Sequence, residues 1–163
     1  MKKIFKAFTT LLCTVCALVL VSCGGGSSKP ISYEEFHSKA VEAEATITGP
    51  RTGHIVININ TKYEHINYEG DFTVDGDSIS LSEEPFLYNY YDYIYGAIKS
   101  RASDVEEGKD SLYYYNAETG FTYDQMFNDE ISYQKLYDVN GYLTKAWDPS
   151  LEDNYVTTIT WNE

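Results

Sequence analysis

The chain has 163 residues, a formal charge of −13 at neutral pH and 43% hydrophobic residues: one domain's length, with enough apolar material for a core. That charge excludes a nucleic-acid binder, because phosphate contacts need clustered Lys and Arg, and no such cluster follows the first six residues. Three cysteines exclude a disulfide scaffold.

The first element is an address. Lys2, Lys3 and Lys6 precede an apolar run from Leu11 to Val21. The run is shorter than the roughly 20 residues that cross a bilayer. A basic start, a short apolar stretch and small residues at its end read as a secretory signal. The run closes on Leu20-Val21-Ser22-Cys23, which resembles the lipobox of bacterial lipoproteins. The resemblance implies cleavage between Ser22 and Cys23 and a diacylglyceryl thioether on Cys23. Residues 1–22 are then the signal peptide, and 23–30 the lipidated Cys with a flexible tether, Gly24-Gly25-Gly26-Ser27-Ser28. Two or more acyl chains, palmitate among them, hold a protein firmly to a bilayer. The expected partner is thus the cell membrane, and the expected location its extracytoplasmic face. Processing removes Lys2, Lys3, Lys6, Cys13 and Cys16. The remaining domain is still more acidic, and its one Cys is lipidated, which leaves no disulfide, redox pair or Cys nucleophile.

Residues 31–163 form the expected single domain. Ser32 and Glu35 make a capping box, and Ile31 and Phe36 occupy the positions of a hydrophobic staple. Phe36, Ala40 and Ala43 continue a helical stripe that ends near Glu44. From His54 to Thr61, Ile55, Ile57 and Ile59 alternate with polar residues, as in a half-buried strand. Ile66, Tyr68, Phe72 and Val74 keep that period. Asp75-Gly76 reads as a two-residue turn that sets Phe72 opposite Ile79 and Gly70 opposite Leu81. Ser82-Glu83-Glu84-Pro85 looks like a second helix start, with Leu87, Tyr91, Ile94 and Ile98 as its stripe. Beyond an acidic loop at 103–110 a meander is expected. Leu112–Asn116 and Phe121–Gln125 flank Thr119-Gly120; Ile131–Val139 and Tyr142–Trp147 flank Asn140-Gly141; Tyr155–Trp161 follows.

The fold class expected from this order is α+β, a curved, mainly antiparallel sheet of about seven to nine strands with two helices on one side. The order behind a lipobox resembles the LolA/LppX-like lipoprotein carriers, in which a curved sheet wraps helices and shelters acyl chains. That resemblance implies an apolar or lipid-like ligand. Separately, Leu136–Lys145 with Asp148-Pro149 resembles one YD repeat of the RHS type. A single repeat cannot build a shell of stacked hairpins, so it reads as shared hairpin chemistry.

No catalytic motif stands out, so no enzyme, no cofactor and no metal site is expected. His37, His54 and His65 are dispersed; only His54 and His65 with Glu64 could meet across a hairpin as a metal site. Asp71, Asp75 and Asp77 surround a turn without calcium-loop spacing. Glu83-Glu84 and Glu106-Glu107 fit a helix start and an exposed loop better than an acid–base pair. The remaining signal is 16 Tyr, each a large ring with a polar tip. Two function classes follow. One is a binder of an apolar ligand, with Tyr68, Phe72, Tyr91 and Ile94 as lining residues. The other is a cell-surface interaction module that meets an envelope protein and encloses no ligand.

Overall fold

The computed structural model describes residues 28–45, 49–127 and 130–162. The signal, the lipobox with Ser22 and Cys23, and the tether as far as Ser27 lie outside the described residues. Within them, nine strands and two α-helices run in the order β1 (Lys29–Ile31), α1 (Tyr33–Glu44), β2 (Arg51–Asn60), β3 (His65–Asp75), β4 (Ser78–Leu81), α2 (Tyr88–Lys99), β5 (Ser111–Asn116), β6 (Gly120–Phe127), β7 (Glu130–Tyr137), β8 (Leu143–Trp147) and β9 (Tyr155–Trp161). All pair antiparallel in one open sheet, in the order β1-β5-β6-β7-β8-β9-β2-β3-β4. This is the α+β class expected.

Alternation builds the sheet. On β2, Ile55, Ile57 and Ile59 are buried, and on β3, Ile66, Tyr68 and Phe72. Register puts them on a common face: Ile57 pairs with Tyr68 and Ile59 with Ile66. Ile55 and Ile57 also pair with Ile159 and Thr157 of β9, both buried. On the far half, Tyr113, Tyr123, Phe121 and Tyr137 line up through the same rule. Burial of such a face is the main stabilising term of the fold.

Helix α1 starts as expected. The Ser32 hydroxyl accepts a hydrogen bond from the Glu35 N–H at 3.2 Å, and Phe36 and Ala40 are fully buried. The Phe36 ring meets Tyr113 at 5.2 Å and Phe121 edge-on at 5.4 Å.

Four expectations need correction. The tether drawn to Pro30 is too long, because Lys29 and Pro30 already belong to β1, which pairs with Tyr115 and Tyr114 at the sheet edge. Pro is tolerated there because an edge strand has one unpaired side. The β3–β4 hairpin is set two residues further along: Phe72 faces Leu81, Val74 faces Ile79, and the loop is Gly76-Asp77. A slip of two preserves the buried face, so the alternation could not detect it. Helix α2 begins at Tyr88, not at Ser82. Ser82 instead closes the hairpin: its hydroxyl accepts from the Asp71 N–H at 3.0 Å and its own N–H donates to the Asp71 carbonyl at 2.8 Å. The fourth concerns Asn140-Gly141. Asp138 N–H donates to the Tyr142 carbonyl and Gly141 N–H to the Asp138 carbonyl, with Gly141 at φ +80°. This is the three-residue loop that ends on a left-handed glycine, not the two-residue turn.

Gly120 shows where a side chain is excluded outright. At φ +94°, an added Cβ would collide with the Tyr137 carbonyl oxygen of the neighbouring strand.

Candidate functional site

The four residues expected to line an apolar site are placed differently from one another. Ile94 of α2 is fully buried, and Phe72 is 2% exposed with its ring edge-on to Trp161 at 5.0 Å. Tyr68 is nearly buried, and its hydroxyl donates to the Glu83 carbonyl at 2.8 Å. Burial raises its pKa above the ordinary tyrosine value, with Glu83 acting in the same direction. Tyr91 is only half-buried and lies between Tyr88 and Tyr95, with ring centroids at 6.1 and 5.7 Å. Three of the four therefore belong to packed regions, and the fourth to a tyrosine ladder along α2.

The inner face of α2 is Ile94 and Ile98, flanked by Tyr90, Tyr93 and Ala97. Leu87, expected to begin the stripe, is exposed. Two hydroxyls fasten the helix to the sheet. That of Tyr90 donates to the His65 carbonyl, and that of Tyr93 bonds Thr157 Oγ1 at 3.1 Å.

Across β2 and β3, His54 and His65 are held apart. His54 pairs with Asp71 and His65 with Asn60, six residue pairs apart along the ladder. His54 Nδ1 meets Asp71 Oδ1 at 2.7 Å, its Nε2 is 3.4 Å from Glu69, and His65 Nδ1 meets Asn60 Oδ1 at 2.7 Å. Among the described residues no group of three His, Cys, Asp or Glu side chains is placed to hold a metal ion.

The polar cluster that the fold does assemble was not foreseen. The chain has two arginines, Arg51 and Arg101. Arg51 opens β2; Arg101 follows α2. Their guanidinium carbons lie 4.0 and 3.9 Å from the centre of the Tyr142 ring. Trp161 is packed beside that ring at 4.8 Å and is 4.8 Å from the Arg51 guanidinium. Together with Gly49, Val74, Asp75 and Gly76, the two arginines and Tyr142 line a cleft of about 380 Å³. Arg101 Nη1 donates to the carbonyls of Ile98 and Ser100 at 2.9 and 3.1 Å, which terminates α2. Cations there suit the helix dipole. Burial lowers the Arg101 pKa from its ordinary value, and Arg51 acts the same way against the opposing effect of Tyr142, Glu44 and Asp104.

Arg51 has a loose ion pair, Nη2 to Asp138 Oδ2 at 3.9 Å, and its Nη1 is buried without a hydrogen-bond partner. The other oxygen of Asp138 accepts the N–H groups of Asn140 and Tyr142, both at 2.9 Å. Such an arrangement presents positive charge and planar donors at an aromatic wall. The sequence carried one signal for it: two arginines in an acidic chain, each beside a strand or helix end.

No family model matches this chain, and no curated protein or solved structure matches it either.

Proposed function

We propose that the chain is a lipid-anchored module on the extracytoplasmic face of the cell membrane that acts through its surface and carries no lipid inside its sheet. The anchor reading rests on Leu20-Val21-Ser22-Cys23 and the Gly/Ser tether behind it. The observation that carries the choice of module over carrier is the packing of α1 and α2. In a carrier, the apolar sheet face and the helices part to admit a ligand. Here Phe36, Ala40, Ile94 and Ile98 have no exposed surface, and neither do Ile55 and Ile59 of the sheet. Register supports both helices lying on one side of the sheet. Phe36 of α1 touches Tyr113 and Phe121, Tyr93 of α2 bonds Thr157, and the strand pairings carry these residues onto the same face.

The carrier is the competing reading, and a direct experiment separates the two. Protein spanning Ser28 to Glu163 is extracted with organic solvent for mass spectrometry, then titrated with a fluorescent fatty acid. The module reading expects no co-purifying lipid and no saturable binding. A bound lipid, or saturable binding lost in Tyr91→Ala, overturns it in favour of the carrier.

A further inference from the structure

We propose that the cleft between Arg51 and Arg101 is a binding site for one small oxyanion, a carboxylate or phosphate group, held by two guanidiniums that both lie over the Tyr142 ring. Two like charges that share one ring repel each other, most strongly where water is scarce. A fold that brings its two arginines together needs compensating negative charge. The nearby acids supply little of it. Asp138 reaches Arg51 only at 3.9 Å and is engaged by two backbone N–H groups of its own turn. Glu44 accepts the Ser103 hydroxyl at 2.6 Å, and although Glu44 and Asp104 both act on Arg101, neither forms an ion pair with it among the described residues. Asp75 stands on the cleft wall and is exposed.

The guanidiniums are also held in place. Arg101 is fixed through Nη1 on two carbonyls, and among the described residues nothing else takes its Nε and Nη2. Both guanidiniums lie over the Tyr142 ring, and the N–H groups of Arg101 not taken by carbonyls remain for a ligand. Planar forks of this kind recognise carboxylate and phosphate oxygens. A cleft of about 380 Å³ suits a small molecule or a single headgroup. The wall carboxylate of Asp75 favours a singly charged group over a doubly charged one.

The position of the cleft allows two sources of the same chemistry. Strand directions put Arg51 at the start of β2, Trp161 at the end of β9 and Tyr142 just before β8, at the end of the sheet where β1 also begins. The oxyanion is either a free solute or, on the anchor reading proposed above, a headgroup of the membrane that holds the chain.

The full chain, kept in a non-ionic detergent, is titrated calorimetrically with inorganic phosphate, acetate and glycerophosphoglycerol, a singly charged phosphodiester, at constant ionic strength. One saturable site is expected, weakened roughly tenfold or more by Arg51→Gln, as for loss of a charge-assisted hydrogen bond. Asp75→Asn, on an exposed turn, is expected to strengthen it several-fold. Tighter binding of glycerophosphoglycerol than of inorganic phosphate assigns the site to headgroups; equal or weaker binding assigns it to free anions. No saturable heat with any of the three overturns the proposal, as does affinity unchanged in both variants. Should Arg51→Gln lose its circular-dichroism signature, Asp75→Asn decides alone, and unchanged affinity in it overturns the site.

Discussion

Asp124 stands on β6 between Leu112 and Gln134 of its neighbouring strands, 7% exposed, with Oδ1 unpartnered. Burial pushes its pKa up from 3.8 to about 6. The unfolded chain therefore releases this proton first, and the folded state holds it longer. Stability falls as pH rises from 3.8 to about 6 and stays lower above that window. Asp124→Asn should remove the penalty, raising stability at pH 7 on the order of 1–3 kcal/mol and leaving it little changed at pH 3.5. Urea melts at both values check this; equal midpoints at pH 7 contradict it. His54 has the opposite sign. Its hydrogen bond to Asp71 raises its pKa from 6.5, so its contribution is complete below that value and disappears as pH climbs through the raised one. The pair is exposed, and water keeps the effect small.

At the scale of elements, α2 distinguishes burial from display. Ile94→Ala should cost about 2–5 kcal/mol, as in other tightly packed cores. Tyr91→Ala, at a half-exposed site, should cost less than about 1 kcal/mol. Thermal denaturation of the two variants measures the contrast, and equal losses would mean that the helix has been assigned the wrong inner face. The same helix shows what was legible in the sequence. The spacing of Ile94 and Ile98 marked a helix, but Leu87 and Tyr91 extended the stripe falsely, because Tyr satisfies either side of an interface. Ser82 resembled a cap because a hydroxyl before acids and a proline usually is one. Here its partner, Asp71, comes from a strand eleven residues earlier. By contrast α1 was readable, since cap, staple and stripe are all local. Strand β1 was not, since its pairing with β5 joins residues far apart in the chain. Nor was the arginine cleft: Arg51, Arg101 and Tyr142 approach one another only through the sheet order.

For the molecule as a whole, the anchor is the first thing to test. Cys23→Ala should abolish incorporation of labelled palmitate and leave precursor or unanchored protein in the cell fraction; label retained in the variant refutes the lipobox reading. The sheet order has another consequence, in time. Among the described residues, β9 alone bridges β1 and β5–β8 on one side and β2–β4 on the other. A chain is synthesised from its N-terminus, so β2, paired early with β3, waits with an open edge until Tyr155–Trp161 has been made. Closing that gap joins positions about a hundred residues apart, the kind of long-range pairing that slows folding. Until then the nascent protein offers an unpaired, isoleucine-rich strand edge to any other extended chain nearby, and the interval before β9 docks is its period of greatest risk of aggregation.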